Sequence, residues 1–226
     1  GYSVLKSIAR GLQESEYNLR VAIAKALGMF GGSQAIEALI EFGLSREERM
    51  DYDRGAANVR GYSAEALGII GESSAVDSLL KVLGDSASVE TLDPDKLTFS
   101  SSSMDGNTVS TKAIEALVKI GDQRAVEPLV NMLEYGDPAG KTGISERPYW
   151  PCGEEKISLF WALENLGWEP DTDERRALCL LNRSEYGLQP STEDEFTSWG
   201  SSAIKPLCNL LKHEHVTVRR NVIEVL

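Results

Sequence analysis

Histidine and cysteine are scarce in this chain, with two and three copies in 226 residues. His213 and His215 flank Glu214, and three consecutive side chains on a turn are poorly placed to converge on one ion. No metal site is expected, and the triplet reads as the polar turn before a helix that holds Arg219. Cys152, Cys179 and Cys208 are odd in number and lack C-x-x-C spacing, which argues against a disulfide framework or a zinc site. Cys179 and Cys208 fall in apolar helical stretches and are expected to be small buried hydrophobes. Cys152 follows Trp150-Pro151 and is the one thiol expected in an exposed loop. That usage fits a reducing, cytoplasmic setting.

Basic charge is also in short supply. Lys and Arg number 23 against 35 Asp and Glu, a net charge of −12. Phosphate recognition needs basic surface, and so does polybasic membrane attachment. Neither a nucleic acid nor a membrane is therefore expected as a partner, and Arg175-Arg176 and Arg219-Arg220 read as solvated helix faces. No apolar run approaches the roughly 20 residues that span a bilayer, and no secretory signal is visible. The chain opens on Gly1 and stops at Val225-Leu226 in mid-repeat, as expected of a fragment or of a protein without its capping material. No G-x-x-x-x-G-K, G-x-S-x-G or H-E-x-x-H occurs, and no carboxylate pair stands out from the acidic surface. No catalytic residue and no cofactor are expected. No segment alternates apolar and polar residues long enough for a strand.

What the chain has is a recurring phrase. Asn58-Val59-Arg60 is followed by Ala66-Leu67-Gly68, Gly71, Ala75-Val76, Leu79-Leu80 and Leu83. The phrase also runs from Leu19-Arg20 through Ala26-Leu27-Gly28, Gly31, Ala35-Ile36 and Leu39-Ile40. It returns at Ala116-Leu117, Gly121, Ala125-Val126, Leu129-Val130 and Leu133. Arg20 to Arg60 is 40 residues, Arg60 to the matching Ser110 is 50, and Ser110 to Lys156 is 46. A two-helix unit needs roughly 30 to 47 residues, so the longer intervals contain insertions. Ala203 to Leu211 repeats the second half of the phrase seen at Ala125 to Leu133, with Pro206 and Pro128 in the first turn, where a missing N–H costs nothing. Val59, Tyr62, Ala66, Leu67 and Ile70 share one helical face, and Ala75, Val76, Leu79, Leu80 and Leu83 share another. Gly28, Gly31, Gly68, Gly71, Gly121 and Gly167 sit where first helices should end in a left-handed residue. The fold class predicted is all-α: an α-α superhelix, a right-handed solenoid of antiparallel helix pairs with about five to six repeats, the terminal ones incomplete. It is expected to fill 1–226 as one domain.

The pattern Val-Arg, Ala-Leu-Gly, Gly, Ala-Val and Leu-Leu resembles the HEAT-like repeat of phycobilisome lyase subunits. The units around Arg20, Arg60 and Ala116 match it well. A fourth matches in part, around Lys156, Ala162-Leu163 and Leu166-Gly167, with Gly167-Trp168-Glu169-Pro170 and Asp173-Glu174-Arg175 resembling a stretch found in such proteins. A fifth shows only a second helix at 201–212, and a sixth begins at Val218-Arg219. The resemblance specifies a fold and not a function. Iron hydroxylases built from such repeats need several His-Glu pairs, and this chain has one. The recurring Arg20, Arg60 and Arg219 read as structural, each packing its stem and bonding the adjacent turn.

Three stretches interrupt the repeat near 46–57, 85–108 and 135–153, all after a second helix and before the next first helix. Equivalent connections project from one edge of a solenoid, and insertions on one edge often mark the binding edge. Tyr52 in the first stretch and Tyr149, Trp150 and Cys152 in the third are candidate contacts, because loop aromatics supply large area at low entropic cost. The second candidate surface is the concave face, which the resemblance assigns to second helices. Glu37, Glu41, Asp77, Lys81, Glu127, Asn131 and Glu134 would make it a mostly acidic groove for a basic segment. The expected function is a non-catalytic scaffold that binds another protein through this face and the looped edge. An alternative, implied by the family resemblance, is a subunit of a bilin lyase or related phycobilisome-processing factor. Glu47-Glu48-Arg49-Met50-Asp51 resembles the connection between early repeats of such subunits. Bilin would be the cofactor only there, with Tyr149, Trp150 and Cys152 as its first contacts. Nucleic-acid binding is a second alternative that the net charge opposes.

Overall fold

The computed structural model describes residues 7, 11, 16–45, 54–87, 89, 91–93, 98–100, 107–136, 154–182, 190–213 and 216–226. The chain divides into two compact units, Gly1–Pro128 and Leu129–Leu226.

In the first unit the first helices of three repeats are α1 (Tyr17–Phe30), α3 (Arg54–Ile70) and α5 (Val109–Ile120). Their second helices are α2 (Ser33–Ala38), α4 (Val76–Leu80) and α6 (Val126–Tyr135), and the division between units falls inside α6. The Ala-Leu-Gly phrase accounts for the packing of α1 on α3 and α3 on α5. A Cβ on Gly28 would lie 2.9 Å from Cβ of Ala66, and one on Gly68 would lie 2.7 Å from Cα of Ala116. Gly28 and Gly68 therefore stay inside their helices and let the neighbouring backbone in. Helix ending falls to the later glycine of each unit: Gly121 takes φ 70° and its N–H closes on the Leu117 carbonyl. The expectation that Gly28 and Gly68 end their helices is corrected, because close approach is the constraint there.

The second helix of the first repeat departs from the others. Leu39–Gly43 forms a π turn, closed by the Leu44 N–H on the Leu39 carbonyl at 2.9 Å. The cause is legible in the spacing. Leu83 follows Ala75 by eight residues and Leu133 follows Ala125 by eight, whereas Leu44 follows Ala35 by nine. All three leucines are buried. The wider turn absorbs one extra residue and returns Leu44 to the core. It also lays Gly43 against the Ser63 hydroxyl, where no Cβ would fit.

The insertions are partly built into the repeats. α3 starts at Arg54, so the last residues of the stretch 46–57 are helical; Gly55 receives the Tyr17 ring and Ala57 is buried. Within 85–108 lies an antiparallel hairpin, β1 (Thr91–Asp93) with β2 (Thr98–Ser100), pairing Leu92 with Phe99. This corrects the expectation of no strand; three-residue strands are too short to show alternation. The root of the hairpin is fixed. The Val89 N–H donates to the Asn107 carbonyl at 2.7 Å, and the Val109 N–H to the Ala87 carbonyl at 3.0 Å. Val89 is buried in the space left by Gly61, in a core with Val21, Ala57, Val59, Tyr62 and Val109. Thr108 and Thr111 then start α5 with a reciprocal capping box.

The second unit contains α7 (Glu154–Asn165), α8 (Asp173–Asn182), α9 (Pro190–Trp199), α10 (Ile204–Leu210) and α11 (Val216–Val225). Its core gathers Ala177, Leu181, Phe196, Leu207, Val218 and Val222. The fifth repeat, expected as a lone second helix, has α9 before it. That helix escapes pattern reading because it is acidic, lacks Ala-Leu-Gly and, among the described residues, packs through Phe196 and Trp199. Pro190 opens it with φ already set for a helix. Cys208 is exposed and Cys179 half-buried, which corrects the expectation that both are core. α10 buries Pro206, Leu207 and Leu210, and Cys208 turns to the opposite face. Among the described residues, no helix is long and apolar enough to cross a membrane.

Candidate protein-binding surface

Each second helix in the first unit carries the same pattern, alanine, an aliphatic residue and a carboxylate, at or near its start: Ala35-Ile36-Glu37, Ala75-Val76-Asp77 and Ala125-Val126-Glu127. Ala35, Ala75 and Ala125 are fully buried. With a rotation of about 100° per residue, burying the alanine and the next apolar side chain turns the third residue outward. Glu37, Asp77 and Glu127 are accordingly exposed in all three repeats. They form a row of carboxylates, one per repeat, spaced by the repeat itself. Asp77 and Glu127 lie in the first turns of α4 and α6, where negative charge also complements the helix dipole.

Glu41 adds a fourth exposed carboxylate from the π turn, and Lys81 is exposed at the matching place just past α4. Asn131 is half-buried. Glu134 is not at the surface: its Oε1 accepts from Arg175 Nε at 2.8 Å, with the carboxylate side chain 11% exposed. Arg175 also bonds Asp171 at 3.2 Å. Tyr52, Tyr149, Trp150 and Cys152 lie outside the described residues.

Arg124 reaches one member of the row and is already engaged. Its Nη2 donates to Asp122 Oδ2 at 2.8 Å and to the Ser73 carbonyl at 2.8 Å, and its Nη1 reaches Asp77 Oδ1 at 3.3 Å. Hydrogen bonds from the Arg124 side chain, and then from its backbone N–H, hold the Asp122 carboxyl down at about 2. The same contacts raise the Arg124 pKa. Arg124 thus staples the third repeat's turn to the second repeat and engages Asp77. Sequence reading missed this arginine. The available signal was its place two residues after Asp122, within reach of an Asx-type cap on α6's entry turn.

Two of the three repeated arginines bond neighbouring structure as expected, while the Arg20 guanidinium lies over the Tyr17 ring with its buried Nε unpaired. Arg60 Nε donates to the buried Asp85 carboxylate, and Arg219 Nη1 to the His213 carbonyl at 2.7 Å. Ser110, in the arginine's place on α5, accepts the Gly84 N–H at 3.3 Å. No group of three His, Cys, Asp or Glu among the described residues could hold a metal ion.

Three stretches, residues 19–42, 59–85 and 111–135, match the family model for the PBS lyase HEAT-like repeat. Comparison with curated proteins gives no significant match. The matched stretches begin in α1, α3 and α5 and run through α2, α4 and α6, so each covers one helix pair. The chain carries three PBS lyase HEAT-like repeats.

Proposed function

We propose that the chain is a non-catalytic scaffold that holds a basic segment of another protein along the second helices of its repeats, in a cytoplasmic setting. The observation that carries this reading is the row Glu37, Asp77 and Glu127, exposed at one position in three consecutive repeats. A periodic acidic row suits an extended or helical partner segment bearing Lys or Arg at matching intervals. Its contribution is mainly to on-rate and orientation. Glu41 extends the row.

The test is fluorescence anisotropy with a Lys/Arg-rich peptide, comparing the protein with an E37Q/D77N/E127Q variant. Binding that weakens as salt rises, and falls at least about tenfold in the variant, supports the reading. Equal binding by both, or none at low salt, overturns it.

A second reading rests on the family description, which names the phycobilisome lyase. Under it the chain would be part of a bilin-handling assembly, with Tyr149, Trp150 and Cys152 as the first contacts to examine. A visible absorption change on mixing with a bilin supports that reading, and none at high micromolar concentration counts against it.

A further inference from the structure

The second helices do not present one uniform charge. Four residues after its row carboxylate, the first repeat has Glu41 and the second has Lys81, both exposed. Glu37 and Glu41 give the first repeat two exposed carboxylates. The second repeat offers one carboxylate and one ammonium. Residues four apart on a helix are neighbours on one face, and Lys81, at the close of α4, keeps helical backbone angles. It therefore stands beside Asp77.

The two charges of the second repeat are not equally available. Asp77 already holds a cation, Arg124 Nη1 at 3.3 Å. Lys81 makes no hydrogen bond or ion pair among the described residues. Its outward direction is fixed by its neighbours. Leu79 and Leu83 are buried on either side of it, and Asp85 just beyond is tied to Arg60. The repeat itself is held from both sides: α3 packs on α1 and on α5, and Arg124 of the third repeat bonds the Ser73 carbonyl. A cation at the close of α4 also suits the helix dipole. An arriving ligand meets that positive charge all the same.

We propose that Lys81 is a specificity-determining residue of the carboxylate row: it selects a partner segment whose basic residues flank an acidic one, and it disfavours a uniformly basic segment. The inference rests on the reading of the row as a receiver of a basic segment. Neighbouring helices pack roughly 8 to 10 Å apart, and an extended chain advances roughly 3.3 Å per residue. One repeat thus corresponds to about three partner residues. The segment places Lys or Arg against Glu37 and Glu41, Asp or Glu against Lys81, and Lys or Arg again against Glu127. Lys81 is the repulsive element by which the face rejects the wrong charge pattern.

Fluorescence anisotropy at low salt tests this with two extended peptides of equal length. One has three basic residues spaced about three apart, and the other has Glu in place of the central one. The second peptide is less positive, so the net charge of −12 favours the first. A preference for the Glu-centred peptide cannot come from bulk attraction. The wild type should bind it about fivefold more tightly. K81Q should remove that preference and K81E should reverse it, with circular-dichroism melts to check that each variant folds. Equal binding of the two peptides by the wild type, or tighter binding of the uniform one, overturns the role of Lys81. Loss of both peptides in E37Q/D77N/E127Q would then leave the reading of the row standing. A preference that survives K81Q and K81E also overturns the proposal, and binding of neither peptide overturns it together with the reading it rests on.

Discussion

Arg60 Nε donates to Asp85 Oδ2 at 2.8 Å, with side-chain exposures of 4% and 5%. The two residues stand 25 positions apart, one on the second repeat's first helix and the other just past its second helix. Asp85 Oδ1 also accepts the Ala87 N–H at 3.2 Å, and the Asp85 carbonyl accepts the Ser110 N–H at 3.0 Å. One aspartate thus ties the first helix of its repeat, the root of the hairpin and the start of the next repeat. Truncating one partner of a buried pair leaves the other charge uncompensated, so Asp85→Ala should cost about 3 to 5 kcal/mol in urea unfolding. Adding Arg60→Met should recover part of that loss. A cost under about 1 kcal/mol would show that the pair is solvated.

Gly68→Ala separates propensity from packing. Alanine improves an exposed helix interior by about 1 kcal/mol over glycine. Here the new Cβ would lie 2.7 Å from Cα of Ala116, which is backbone and cannot swing aside. The variant should lose about 1 to 3 kcal/mol, the usual cost of overpacking. A stabilised variant would mean that α3 and α5 can separate freely.

Ser63 presents the reverse case. Its hydroxyl is fully buried against Gly43 and has no hydrogen-bond partner. A buried unpaired hydroxyl costs about 1 to 3 kcal/mol, so Ser63→Ala should stabilise the fold by about 1 kcal/mol. Thermal and denaturant melts read this directly.

Acid should act on the staple in a defined window. The Asp122 carboxyl is held at about 2, below its ordinary 3.8, chiefly by hydrogen bonds from Arg124. A carboxyl with a depressed folded-state pKa adds stability above its unfolded value, and that stability is lost as pH falls through the folded value. The contribution should therefore be intact at pH 5 and vanish between about 4 and 2. An NMR titration of the Asp122 side chain should show its midpoint moving up toward the ordinary value in Arg124→Gln. An unchanged midpoint would mean that other groups hold the carboxyl.

How much of this was legible follows from the range of each interaction. The Ala-Leu-Gly and Ala-Val phrases repeat because each helix pair solves the same local packing problem, so three repeats could be read from spacing alone. The outward turn of Glu37, Asp77 and Glu127 is local as well. Glu134 was misplaced because its burial depends on Arg175, 41 residues away, and no periodicity encodes that ion pair. α9 was missed because two aromatic anchors, Phe196 and Trp199, replace the small-residue phrase. The π turn was readable only by counting one residue between Ala35 and Leu44.

The central claim is that the carboxylate row receives a basic partner segment. Backbone amide shifts recorded during titration with a Lys/Arg-rich peptide test it most directly. The account predicts that the perturbed residues cluster around Glu37 to Glu41, Asp77 to Lys81 and Glu127, and that E37Q/D77N/E127Q abolishes the shifts. Perturbations confined to residues away from these helices, or shifts that persist in the variant, would contradict it.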